Sequence, residues 1–176
     1  MFMNRIIGVF KLDIATFEEI EADQSATGQA ALVVLIVALI SGLGSGMSAS
    51  FMETSFFSLF ISSLLATFTG WIIWSFVTYF VGTKFFDGQA DMGEMMRVLG
   101  FSYAPQVLSI IPCIGWLIGL IWSLVAGFIA VRQGLDLDNT KTLLTIIIGF
   151  FAIILVSAIF GLIFGGLAAI GGAITG

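Results

Sequence analysis

The chain is predicted to be an all-α, polytopic membrane bundle. Three observations carry this: 59% of its 176 residues are hydrophobic, 10% are charged, and mean hydropathy is +1.15. Such a composition lies outside that of soluble domains. The charges are also spaced so that four uncharged stretches remain: Gln24 to Met52, Thr54 to Thr83, Val98 to Val131 and Thr142 to Gly176. Each exceeds the roughly 20 apolar residues that cross a bilayer core.

The third stretch is too long for one span. As a single helix it would extend about 51 Å at about 1.5 Å per residue, against a core of roughly 30 Å. Near its middle stands Ile111-Pro112-Cys113-Ile114-Gly115, where proline and glycine punctuate the pattern. A turn there makes a short hairpin, either two tight spans or a re-entrant pair. The basic residues favour the turn. With it, Arg5, Lys11, Lys84, Arg97, Arg132 and Lys141 all fall on one side and only Glu53 on the other, as the positive-inside rule requires.

Five spans follow: Thr27 to Gly46, Phe56 to Gly82, Met95 to Ile111, Ile114 to Val131 and Thr142 to Ala169. The N-terminus is expected in the cytoplasm and the C-terminus outside, in a cell (inner) membrane. The inner side then holds ten of the eleven acidic residues against six basic ones, a balance of −4. That disfavours attraction to nucleic acid or anionic lipid headgroups. The first span is read as its own uncleaved insertion signal, and the domain plan is an N-terminal segment 1–23 followed by a membrane domain 24–176.

Segment 1–23 reads as an amphipathic interfacial element, because Ile6, Phe10, Ile14 and Phe17 recur at helical spacing. Asp13 interrupts that face, which predicts two short helices with Asp13 capping the second. Phe10, Phe17, Glu18 and Glu19 are the candidate partner-docking residues of this element.

Small residues recur every fourth position on three spans: Ala38, Gly42 and Gly46, then Gly115, Gly119, Ser123 and Gly127, then Ser157, Gly161, Gly165, Ala169 and Ala173. This spacing puts them on one helix face, where backbones can approach closely in lipid. Close packing within the chain is expected at Gly42, Gly46, Gly115, Gly119, Gly127, Gly161 and Gly165.

Two polar stripes sit within the spans. Ser102, Gln106 and Ser109 share a face of the third, with Tyr103 beside them and Pro105 freeing the Phe101 carbonyl. Thr67, Trp71, Ser75 and Thr78 share a face of the second. If the stripes face one another, Thr67, Trp71, Ser75, Ser102, Tyr103, Pro105 and Gln106 bound a small polar cavity; otherwise they bond helix to helix. In the inner loops, Asp91 with Glu94 and Asp138 with Asn139 read as helix caps rather than calcium ligands, since no EF-hand spacing is present.

Catalysis has no sequence support. There is no G-x-S-x-G, H-E-x-x-H, Walker or Rossmann pattern, and no histidine; the single cysteine, Cys113, excludes an internal disulfide framework. No catalytic residue, cofactor or metal site is expected. No ionisable side chain of the Asp, Glu, Lys, Arg or His type lies deep in a span, which weakens coupled transport.

The order of features Phe17-Glu18-Glu19-Ile20, Gly70-Trp71-Ile72-Ile73-Trp74, Leu99-Gly100-Phe101-Ser102-Tyr103-Ala104-Pro105, Ile111-Pro112-Cys113-Ile114-Gly115 and Ile121-Trp122-Ser123-Leu124-Val125 resembles the prokaryotic branch of the Yip family. These are five-span membrane proteins whose eukaryotic relatives are named for interacting with Ypt/Rab GTPases. The resemblance implies a non-enzymatic membrane-organising protein whose partners are membrane lipids and other membrane proteins. The competing expectation is a small-solute, ion or lipid transporter using the polar cavity.

Overall fold

A computed structural model describes residues 1–47, 54–111 and 114–175, with side chains as far as Ala158. The order is α1 (Phe2–Phe10), α2 (Ile14–Ala22), α3 (Ala26–Met47), α4 (Phe56–Phe85), α5 (Met92–Ser102), a 3-10 helix (Ala104–Ile110), α6 (Gly115–Gly134) and α7 (Asn139–Thr175). The described residues contain no strand. Helices α3, α4, α6 and the Asn139–Ala158 part of α7 are long and apolar enough to cross a membrane.

The remaining expected span, Met95 to Ile111, is not one helix. It stops at Ser102 and resumes in 3-10 form from Ala104, with Pro105 in the first turn. Proline supplies no N–H for the Phe101 carbonyl and its ring opposes an α-helical continuation. The Tyr103 N–H turns to the carbonyls of Gly100 and Phe101 instead. Eleven α-helical and seven 3-10 residues together extend about 30 Å, as do the twenty residues of α6. The two arms of the hairpin thus match in length, and α6 packs along both halves of its partner. The turn at Pro112 and Cys113, like Glu53, lies outside the described residues.

The expected break between α1 and α2 is present. Leu12 takes a left-handed φ of 57°, and the Asp13 N–H reaches the Gly8 carbonyl at 3.0 Å, closing α1. Asp13 occupies the N-cap position of α2, but its carboxylate accepts the Thr16 hydroxyl at 2.6 Å and not a backbone N–H. Thr16 is pressed onto Gly8, where any Cβ would collide with its side chain. The reversal also splits the predicted apolar stripe: Phe17 is buried, Ile6 and Phe10 pack against the core, and Ile14 turns outward, 42% exposed.

Left-handed aspartates end two more helices, Asp87 after α4 and Asp136 after α6. Aspartate tolerates this conformation better than most side chains. The loops that follow are held by the N-caps of the next helices. Asp91 and Glu94 form a reciprocal capping box at α5, with bonds of 2.7 and 2.6 Å. Asp138 caps α7 by accepting the N–H groups of Thr140 and Lys141 at 2.8 and 3.0 Å.

A well-packed part of the molecule lies where α1 and α2 cover the ends of the spans. Val9, Phe17 and Ile20 from α1 and α2 are fully buried there with Met95 and Val98 of α5 and Leu135 at the C-cap of α6. Helix α4 is peripheral: 6% of its apolar window is buried, against 39% for α3. Its outward side chains, among them Phe57, Leu65 and Phe76, are available to lipid or to another helix.

Candidate functional site

Two regions gather polar groups. At the end covered by α1 and α2, Arg5 is 2% exposed and ties three helices together. Its Nε and Nη2 donate to Glu19 Oε1 at 3.0 and 2.9 Å, Nη2 also reaches Asp23 Oδ2 at 2.5 Å, and Nη1 donates to Gln29 Oε1 at 3.0 Å. Hydrogen bonds from Ser25 and Arg5 hold the Asp23 carboxyl down at about 2. Arg97 donates through Nε and Nη2 to the backbone carbonyl of Glu21, at 3.0 and 2.6 Å. That carbonyl belongs to the last turn of α2, where cations are favoured. The Glu21 carboxyl itself is pushed up to about 7 by partial burial and by Asp136 and Glu94 nearby, with Arg97 opposing.

The expected docking residues are part of the same α1–α2 layer. Phe17 is core. The Phe10 carbonyl accepts the Trp122 indole N–H at 2.9 Å. Glu18 accepts the Gln133 amide at 3.0 Å, and Glu19 carries Arg5. Both carboxylates remain exposed, whereas the two phenylalanines hold the helix pair in place.

The second region is a cavity of about 280 Å³. Its walls are Ser102, Tyr103 and Gln106 at the α5/3-10 junction, Ser123 and Phe128 of α6, and Trp74 of α4, with Ile146 and Phe150 of α7 closing one side. Three of the seven predicted cavity residues are therefore brought together: Ser102, Tyr103 and Gln106. The other four are placed elsewhere. Trp71 is 3% exposed and donates its indole N–H to the Met96 carbonyl at 3.0 Å, packed over Gly100. Thr67 bonds back to the Ser63 carbonyl at 2.8 Å. Ser75 is fully buried and Pro105 is buried beside α6.

The cavity thus does not lie between the two predicted stripes. Trp71 fills the α4–α5 seam, and the open space falls on the other side of the junction, toward α6 and α7. Trp74, three residues on, is the α4 residue that reaches it. The Ser102 hydroxyl donates to the Leu99 carbonyl at 2.7 Å. Ser123 is 9% exposed and its hydroxyl has no hydrogen-bond partner among the described residues; nor have the buried hydroxyls of Ser75 and Thr145.

Most of the small residues sit at close approaches. A Cβ on Gly42 or Gly46 would meet the Phe60 ring at 3.0 Å or the Phe56 ring at 2.5 Å, across the α3–α4 seam. On Gly115 it would collide with the Leu108 carbonyl oxygen, and on Gly119 it would stand 3.0 Å from the Pro105 carbonyl oxygen. Gly127 has room, its nearest neighbour being the Ser102 hydroxyl at 3.9 Å. Gly161 and Gly165 fall beyond the described side chains. Equally tight are Gly82 against Leu135, Gly100 against Ala30 and Gly134 against Val98; Gly134 continues a four-residue spacing with the buried Ala126 and Ala130, a signal that was present in the sequence, whereas Gly82 has no glycine, alanine or serine four positions away on either side. Arg5 was also missed as a site. Its only signal is an arginine within an apolar helical face.

These features define a multi-pass α-helical membrane protein with an ion-paired cap at one end and a cavity between its helices. The chain belongs to the Yip1 domain family, whose family model matches residues 7–162. No curated protein and no solved structure matches it.

Proposed function

We propose that this chain is a non-enzymatic organiser of a prokaryotic cell membrane, with its N-terminus and six basic residues in the cytoplasm and its C-terminus outside. Its partners are bilayer lipids and other membrane proteins. The observation that supports this reading is the peripheral setting of α4, whose apolar window is 6% buried and presents a span-long surface to a neighbouring helix. The exposed carboxylates of Glu18 and Glu19 supply a second, cytoplasmic point of contact.

Photo-crosslinking in native membranes tests the proposal. Probes replacing Phe76 and Glu18 are expected to give discrete protein adducts that a probe at Phe151 does not. Adducts to lipid alone at both positions overturn it.

A second reading, movement of a small solute, ion or lipid, is supported by the cavity that joins Ser102, Tyr103 and Gln106. Liposomes holding the purified protein are expected to release or flip one of a broad panel of tracers. No flux above protein-free liposomes sinks it.

A further inference from the structure

The cavity sits in the middle of the spans: Ser123 is the ninth of the twenty residues of α6, about 12 Å from one end of the helix. At that depth water does not supply hydrogen bonds, and an unsatisfied polar group costs several times what it does at a wet surface. Yet no protein group among the described residues bonds the Tyr103 hydroxyl, the Gln106 amide or the buried Ser123 hydroxyl. Ser123 lines the space, and its hydroxyl, without a partner among the described residues, is able to turn between staggered rotamers. Three neutral residues that can donate hydrogen bonds thus line one largely apolar chamber.

The rest of the wall narrows the ligand. Trp74, Tyr103, Phe128 and Phe150 surround the space with aromatic rings, and no lining residue carries a charge. A phosphate or ammonium headgroup would be desolvated there without a counter-charge. Leu124 and Phe150, at 65% and 58% exposure, form an apolar rim open to the bilayer side. The ligand therefore enters sideways from the lipid. It bears an uncharged head that accepts hydrogen bonds and stacks on aromatics, followed by an apolar tail.

We infer that the chamber between the α5/3-10 junction, α4, α6 and α7 binds the ring of an isoprenoid quinone, with Gln106 and Ser123 donating to its carbonyl oxygens. A quinone ring is flat, uncharged and carries two opposed carbonyl acceptors, while its prenyl tail leaves past Leu124 and Phe150. Binding is the whole of the inference; no electron transfer is involved. It rests on the reading of this space as a ligand cavity and is independent of the organiser role and of transport.

The test uses the full chain in lipid nanodiscs, titrated with decyl-ubiquinone while tryptophan fluorescence is followed. Saturable quenching is expected, largely lost in Trp74→Phe. Gln106→Leu and Ser123→Ala are each expected to raise Kd about tenfold, the equivalent of one hydrogen bond, with far-UV circular dichroism unchanged. Ser123→Ala removes a single oxygen from a helix, so it reports on binding even if Gln106→Leu misfolds. Quenching that never saturates, or saturates equally in both folded variants, overturns the inference. A saturable fluorescence change with dioctanoylglycerol and none with decyl-ubiquinone overturns the quinone chemistry while leaving a lipid cavity. Quinone binding in a protein that moves no tracer across liposomes upholds the inference and ends the transport reading alone.

Discussion

The end of the bundle that carries α1 and α2 and the middle of its spans handle polarity in opposite ways. At the first, four strongly polar groups are partnered: Arg5 by two carboxylates and an amide, Arg97 by the Glu21 carbonyl, Gln133 by Glu18, and the Lys141 ammonium by the Phe86 carbonyl at 3.2 Å. Along the spans, Ser75, Ser123 and Thr145 are buried with hydroxyls that no group among the described residues pairs, and close glycine contacts set the helix spacing. The difference teaches that charge fixes geometry at one end alone, whereas close approach at glycine acts along the whole bundle, from Gly8 against Thr16 to Gly115 against Leu108. Removing a charge should loosen that end, and adding a methyl group should wedge open a glycine seam.

The largest effect is expected at the tightest seam. Gly115→Ala would drive a methyl group into the Leu108 carbonyl oxygen, a backbone atom that cannot rotate away. Overpacking of this kind costs about 3 kcal/mol, read as a lowered melting temperature in detergent. Retention of the wild-type Tm would show that the hairpin arms are not in contact. At the opposite end, Arg5→Ala leaves Glu19 and Asp23 facing one another without their cation. Because both carboxylates are partly solvated, with side chains 52% and 33% exposed, the loss is expected to be about 2 kcal/mol, below that of a fully buried pair. Proteolysis within residues 1–23 should accelerate with it.

A pH dependence sharpens the same contrast. The Glu21 carboxyl is raised from 4.5 to about 7 in the folded chain, so between these values the native state holds the proton more strongly than the unfolded one. Stability is then greatest at the acid end of this window and falls as pH rises through it. Asp23 acts in the other sense, its contribution disappearing only as pH drops from 3.8 toward about 2. Thermal melts across the upper window should show the decline in wild type, and Glu21→Gln should flatten it. An unchanged slope in that variant assigns the decline to another group. The smallest effect is expected at Gly127→Ala, where the nearest atom lies 3.9 Å away: a change within about 0.5 kcal/mol, despite Gly127 sharing a four-residue repeat with Gly115.

Much of the fold was legible because its signals are local. Charge exclusion marked the apolar stretches, Asp13 marked the break before α2, and Asp91, Glu94 and Asp138 marked helix starts. Pro105 announced a disturbance. Its form, an α-helix passing into a seven-residue 3-10 helix packed against α6, is not legible in the sequence, which gives a single span from Met95 to Ile111 with a freed Phe101 carbonyl. The candidate cavity was half legible: the Ser102–Gln106 face was found, but the opposing wall was sought on Trp71 and Ser75, which pack into the α4–α5 seam while Trp74 turns to the open side.

By itself, the sequence determined that the chain lives in a membrane, where its apolar stretches begin and end, and which residues cap them, because hydrocarbon excludes charge and caps act across three or four residues. Only the tertiary structure decided that Arg5 closes on residues 14, 18 and 24 positions away, which glycines touch a neighbour, and which polar side chains share one chamber. Those facts are set by how helices rotate against one another, and a rotation that brings distant residues together leaves no periodic trace in either helix.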